Sequence, residues 1–434
     1  MKRTLALAVT ATLALAVTAC GSGGDAKSTG PVKITVWSWK PASDGLAAVA
    51  KDFEKANPSI KVDIQAVGNP AIWEKITVGM AAGGKGLGDI LHIGIDYLPS
   101  YMEKFPGGLA NLKELGADKY KDVFAKGLWP TVTGKDGGVY ALPWEVNPVG
   151  FFYRSDLFEK AGIDTEAIKT WDDAIEAGKK LKEKTGAYLI GMNKPAAGGV
   201  DMDLYQSLLQ QQGAFYFDAQ GQVTLSSAPA VQAMTLLKKM NDAGIVADTS
   251  GEGTAKKLIS GGKLAVLPWA AWAVRYIPEM RPEQKGLWRV MQPPAVVAGG
   301  KRTAIVNSTY LSVAGTSPHK AEAFKFLEYA LTKPEVINKV FADGGVFPAL
   351  TAAYADPRYT AKMDYYGGQP ALKTFVDALA EGADATYYSG DYARALKIAS
   401  DAQTQVLLKG ADPAAALTQA AEQLAQQTGR KLAG

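Results

Sequence analysis

Apolar and polar positions along this chain switch between two periods, and the switches mark its elements. Lys33 to Ser38 and Ile60 to Ala66 carry apolar residues at every second place, the pattern of half-buried strands. Between them Leu46, Val49, Ala50, Phe53 and Ala56 recur at helical spacing, with Ser43 or Asp44 as the expected cap and Asn57 and Pro58 as the stop. Asp89 to Ile93 reads as a third strand after a glycine-rich turn at Gly83 to Gly88. Strand, helix, strand in this order predicts parallel pairing, with ligand-facing loops at the carboxyl ends of the strands. Downstream, Thr170 to Asp173 fits a capping box that opens a helix through Leu181. Pro229 to Asn241 and Ala321 to Leu331 are expected amphipathic helices, and the Ala- and Gln-rich tail from Ala411 to Gln427 a terminal helix.

The first residues follow a different rule. Lys2 and Arg3 precede an apolar run from Leu5 to Val17 that ends in small residues before Cys20, the layout of an export signal. The run is too short, and wrongly flanked, for a stable membrane span. Cys20 is the only cysteine, which excludes an intrachain disulfide and argues against thiol chemistry. Its position resembles the lipobox of bacterial lipoproteins. That resemblance implies a signal peptide at 1–20, lipid attachment at Cys20, a flexible Gly- and Ser-rich tether at 21–30, and an extracytoplasmic protein anchored to the membrane, at the cell surface or in a periplasm.

About 414 residues remain after such a signal, enough for two domains with sizeable cores. With 47% hydrophobic and 21% charged residues the balance is that of a globular chain. The net charge of +4 includes Lys2 and Arg3, and without them it is too near neutral to argue for nucleic acid. His92 and His319 are the only histidines and lie in no metal-ligand spacing. Gly79 to Lys85 approaches a phosphate-binding loop, but Gly86 stands where Ser or Thr should follow, and no strand precedes it. No cofactor and no metal are expected.

Several blocks, in order, resemble one family, the sugar-type extracellular solute-binding proteins of ABC importers, relatives of maltose-binding protein. They are Ile34 to Trp39 followed by Phe53 to Val62, then Val139 to Trp144, Phe152 to Ile163 and Thr170 to Asp173, then Gly261 to Trp269, and last Ala323 to Leu350. Asn307 to Thr309 depart from the pattern, since many members carry glycines there. The resemblance implies an α/β, two-lobed periplasmic-binding-protein fold of type II-like form, with mostly parallel sheets flanked by helices and a ligand cleft at the hinge. Lobe 1 is expected from 31–141 plus 305–350 and lobe 2 from 142–304 plus 351–434, with crossings near Tyr140 to Pro143 and Ala304 to Ser308. It further implies a monomeric receptor, not an enzyme, that closes around a carbohydrate and delivers it to permease subunits.

A pyranose presents a face of C–H groups and a rim of hydroxyls, so its site needs flat apolar surfaces beside carboxylates and amides. Tryptophans at strand ends or Pro-flanked loops supply candidates: Trp39, Trp144, Trp269 and Trp272. Trp37 reads as core or platform, and Trp171 and Trp288 as packing. Polar candidates beside them are Lys40, Asp44, Asn69, Asp96, Glu145 and Asn147. Family position adds Asn193, Arg275 and Asn307, and Tyr365 stands either at a cleft mouth or in a helix junction. Two alternatives stay open: a charged cargo such as a phosphorylated polyol or peptide, and a secreted glycoside hydrolase using Asp96 and Glu145.

Overall fold

A computed structural model describes residues 30–193, 202–251 and 253–434; the expected signal peptide, Cys20 and most of the tether lie outside the described residues. Among these, ten strands follow in chain order: β1 (Val32–Ser38), β2 (Ile60–Ala66), β3 (Ile90–Gly94), β4 (Leu142–Glu145), β5 (Phe151–Arg154), β6 (Ile190–Met192), β7 (Val246–Asp248), β8 (Val266–Leu267), β9 (Trp288–Met291) and β10 (Thr309–Val313). The alternating segments pair as expected: β1 runs parallel to β2 from Val32 opposite Ile60 to Ser38 opposite Ala66, and parallel to β3 at Val36 and Trp37. Late in the chain β10 returns antiparallel between β3 and β4, giving the order β2-β1-β3-β10-β4.

A second sheet forms in the other half. There β5 lies antiparallel between β8 and β9, β6 pairs in parallel with β7, and a parallel bridge from Tyr188 to Leu264 joins the two groups. One buried cluster surrounds Ile34, Val36, Ile93 and Leu311 and continues through Phe347 and Phe375 to Phe152 and Trp288. Another gathers Phe151, Trp171, Leu208 and Leu237. Trp37, Trp171 and Trp288 are all buried, so each serves packing.

Local chemistry explains the helices. Helix Ala42–Ala56 buries Leu46, Val49, Ala50 and Phe53, and the Phe53 ring meets Phe326 edge-on at 5.2 Å. It begins ahead of both expected caps: Ser43 is buried within its first turn, and no side chain caps it. Gly45 lets it approach helix Pro334–Gly344, because a Cβ there would stand 2.6 Å from the Val340 carbonyl. Thr170 and Asp173 cap helix Trp171–Thr185 reciprocally, at 3.2 Å and 2.8 Å. The tail forms helix Pro413–Thr428, with Asp412 accepting from the Ala415 N–H.

Two crossing segments run side by side between the halves. Val306 N–H donates to the Asn147 carbonyl at 3.0 Å, and Val149 N–H to the Ala304 carbonyl at 2.9 Å. The first of them starts only after Glu145, because Tyr140 to Pro143, the stretch expected to cross, leads into and joins β4 of the first sheet. Val149, Ala270, Ala304 and Val306 form a small buried cluster at the crossing, with Trp272 packed against it. Helices Tyr392–Lys409 and Pro413–Thr428 pack on each other and on helix Ala228–Asp242 of the second half. No helix of the described residues is long and apolar enough to cross a membrane.

Candidate functional site

Because β1, β2, β3 and β4 point the same way, their carboxyl ends open on one edge of the first sheet, where β10 begins. Trp39 comes immediately after β1, and its ring stacks on His92 of β3 at 3.5 Å and 8°. The same imidazole meets Trp144 of β4 at 4.3 Å, and its Nδ1 shares a 2.9 Å hydrogen bond with Ser38 Oγ. Burial holds His92 well below its ordinary pKa, so it is a neutral spacer in an aromatic pile. Trp39 also meets Trp73 edge-on at 5.1 Å; Trp73 in turn stacks on Tyr97 at 4.7 Å and donates to Asn69 Oδ1 at 3.1 Å.

The second half supplies the facing aromatics. Trp272 precedes helix Ala273–Met280, stacks on Trp269 at 5.5 Å and meets Tyr276 edge-on at 5.7 Å. Between these groups lies a cavity of about 440 Å³, lined by Trp39, Trp73, Trp272 and Tyr276 among its aromatics.

Its polar wall comes from the strand ends. Asp96 follows β3, and burial pushes its carboxyl up to about 6 against the backbone N–H groups of Asp96 and Tyr97. Gly94 makes room for it, since a Cβ there would fall 2.4 Å from Asp96 Oδ1. Glu145 ends β4; burial pushes it up to about 7, although Thr309 Oγ1 donates to its Oε2 at 3.0 Å. Asn147 donates to the Asn307 carbonyl at 3.0 Å and leaves its buried Oδ1 without a partner. Asn307 adopts φ +51°, a left-handed conformation that Asn tolerates better than most residues, and reaches Asp203 Oδ2 at 3.3 Å. Arg275 is engaged by Glu279 at 2.8 Å and by the Asp343 carbonyl at 3.1 Å.

Thus Trp39, Asn69, Asp96, Glu145, Asn147, Trp272, Arg275 and Asn307 come together on one cavity. Six other candidates do not line it. Trp144 is fully buried, because neighbouring strand residues face opposite ways and Glu145 takes the cavity side. Lys40 and Asp44 form an exposed pair at 3.3 Å. Trp269 stands behind Trp272, with its carbonyl bound to the Gly150 N–H at 2.8 Å. Tyr365 donates to the Arg281 carbonyl at 2.6 Å, which makes it a helix-junction residue. Asn193 is exposed and accepts from Thr249 Oγ1 at 3.2 Å. Sequence reasoning missed Trp73, Tyr276, Glu279, Ser308 and Thr309. Trp73 and Tyr276 lie one helical turn beyond Asn69 and Trp272, a spacing that could have found them. Among the described residues no group of three or more His, Cys, Asp or Glu could hold a metal.

Two α/β halves joined by paired crossings, with an aromatic and carboxylate-bearing cavity between them, define a two-lobed solute-binding protein. The model of the bacterial extracellular solute-binding protein family matches residues 38–337, and the chain belongs to that family, a class of binding proteins. It is 26% identical over 423 residues to a lactose-binding protein of Rhizobium radiobacter, covering 94% of each chain. It is also 26% identical over 431 residues to an arabinooligosaccharide-binding protein of Bacillus subtilis (strain 168), covering 96% of this chain and 97% of the relative. Among solved structures, an ABC transporter associated binding protein from B. animalis subsp. lactis Bl-04, in complex with β-1,6-galactobiose, superposes with a TM-score of 0.74. It is 26% identical, over 93% of this chain and 100% of the other.

Proposed function

We propose that this chain is the extracytoplasmic receptor of an ABC importer, which captures an oligosaccharide in the cavity between its lobes and delivers it to permease subunits. The observation that carries this reading is one cavity walled by Trp39 and Trp73 from one half and Trp272 and Tyr276 from the other, with Asp96, Glu145 and Asn147 between them. Flat rings suit the C–H faces of a pyranose, and the carboxyl groups at the cavity wall accept from its hydroxyls. The relatives named for lactose, arabinooligosaccharides and β-1,6-galactobiose support the same solute class. Burial is the leading influence on both Asp96 and Glu145, and Arg275 is already engaged. An anionic cargo such as a phosphorylated polyol would therefore meet unpaired carboxylates without a free cation among the lining residues.

Closure follows from hinge rotation at Asn147 to Val149 and Ala304 to Val306, and the solute favours it only through contacts made to both halves. Lobe 1 then comprises 31–145 with 308–350, since β4 belongs to the first sheet rather than to the second lobe as its sequence suggests, and lobe 2 comprises 150–303 with 351–434, the chain passing once more between them near 350. The receptor acts as a monomer tethered by lipid on Cys20, and catalyses no reaction. A melting screen over mono- and oligosaccharides, polyol phosphates and peptides tests the reading, since a ligand of the folded state raises apparent stability. Stabilisation by neutral oligosaccharides is expected, and stabilisation by anionic solutes or peptides alone would refute it.

Two carboxyls raised within one cleft are also the groups a glycoside hydrolase uses, and a secreted glycoside hydrolase is the second reading. Incubation with labelled oligosaccharide separates the two. A receptor returns its ligand intact, and release of more than one product per protein molecule would establish catalysis.

A further inference from the structure

The two halves are tied together away from the cavity as well. Glu103 lies on helix Leu98–Lys104, which follows β3 in the first half. Its Oε2 accepts from the Gly390 backbone N–H at 3.1 Å and from Arg430 at 3.3 Å. Gly390 and Arg430 belong to the C-terminal segment, whose helices Tyr392–Lys409 and Pro413–Thr428 pack on the second half. Arg430 is held from its own side: Nε donates to Asp391 at 2.9 Å, Nη1 to the Gly221 carbonyl at 3.2 Å, and the guanidinium stands 5.1 Å over the Phe217 ring. Its charge is thus positioned before it meets Glu103, so little side-chain freedom is lost on pairing. The side chains of Arg430 and Glu103 are only 16% and 29% exposed, which limits screening. Neither lines the 440 Å³ cavity; both line a separate groove of about 700 Å³ between the halves.

We propose that Glu103, Arg430 and Asp391 form a strap that sets the hinge equilibrium, and through it the solute affinity of a cavity they do not touch. The proposal rests on the receptor reading for its effect on affinity, though not for its effect on shape. In the arrangement where aromatics of both halves wall one cavity, the strap is made. Rotation about the crossings moves helix Leu98–Lys104 relative to Arg430, so the pair stabilises this arrangement alone. Apparent affinity scales with the population of the binding-competent state.

The test uses the mature full-length chain with Arg430→Met, Glu103→Gln, the double variant, and Lys135→Met. Lys135 lies 3.5 Å from the same Glu103 carboxylate but comes from the first half, so it controls for local charge. Solution scattering without ligand should show expansion in the first three proteins and none in Lys135→Met. Titration with lactose and β-1,6-galactobiose should show a loss of about two- to five-fold in affinity, no larger in the double variant than in the singles. Glu103→Gln keeps the proposal testable should Arg430→Met fail to fold. Ligand-free profiles that superpose on wild type in both Glu103→Gln and Arg430→Met, or expansion that Lys135→Met reproduces, would overturn the strap. If the variants expand but neither sugar binds any of the proteins, the strap stands and the solute is neither of these two disaccharides.

Discussion

Replacing Glu145 with glutamine removes the most strongly desolvated carboxylate of the cavity while keeping its size and its acceptor for Thr309 Oγ1. Burial raises this carboxyl from 4.5 to about 7 in the folded protein. At about 1.4 kcal/mol per pH unit, that difference sets a ceiling of about 3 kcal/mol. Glu145 is only part-buried and lines the open cavity, so solvent screening brings the expected effect to about 1–2 kcal/mol. The sign follows from proton counting. Between pH 4.5 and about 7 the folded chain holds this proton more tightly than the unfolded chain, so stability is greatest below 4.5 and is lost as pH rises through about 7. Asp96, raised to about 6, adds a slope of the same sign between 3.8 and 6. The assay is denaturant unfolding of ligand-free protein at half-unit steps from pH 5 to 8, for wild type and Glu145→Gln. The variant should lose part of the decline, and the two curves should diverge by about 1–2 kcal/mol at pH 8, with the variant the more stable. Parallel curves across the range would show that Glu145 is not held in a desolvated site, and the chemistry assigned to the cavity would lose its main acceptor.

Three further perturbations probe the same geometry. Trp39→Ala should weaken sugar binding by about 2 kcal/mol, about 30-fold, because a half-buried tryptophan offers about 80 Å² of ring face at ~25 cal/mol per Å²; calorimetry showing less than a threefold change would remove it from the site. Gly94→Ala should displace the Asp96 carboxylate, whose Oδ1 a Cβ would approach to 2.4 Å, and lower affinity with little change in melting temperature. A melting loss without an affinity loss would instead place the strain in the sheet. Asn307→Ala should cost about 1 kcal/mol or more in thermal unfolding, whereas Asn307→Gly should cost less, since only the alanine is penalised at φ +51°. Equal losses would assign the effect to the lost hydrogen bond with Asp203.

Much of the fold was legible because its signals are local. The alternation in Lys33 to Ser38 and Ile60 to Ala66 reports which side of a strand is wet, and Thr170 with Asp173 satisfies the N–H groups of its own helix. Asp96 and Glu145 were legible as candidates through the family resemblance, whereas the strand that carries Glu145 reads in sequence as a crossing and only its pairing with β10 puts it beside Trp39 and Asp96. Other assignments needed the partner element. Trp144 and Glu145 are neighbours on β4 and must face opposite ways, but which one meets solvent depends on His92, itself stacked on Trp39, lying against the tryptophan. Helix Ala42–Ala56 starts ahead of Ser43 because that first turn is buried, and packing replaces a side-chain cap.

By itself the sequence determined the strand and helix order, the parallel pairing of the early strands, and a pool of aromatic and acidic residues at their ends. Only the tertiary structure decided which of those residues share a cavity, since Trp39 and Trp272 are far apart along the chain and line one cavity through the packing of the two halves. It also decided the tie between Glu103 and Arg430, two ordinary surface charges in the sequence. Local patterns encode which way a side chain faces, whereas proximity between distant segments is set by how the two halves pack, and no short-range period carries that information.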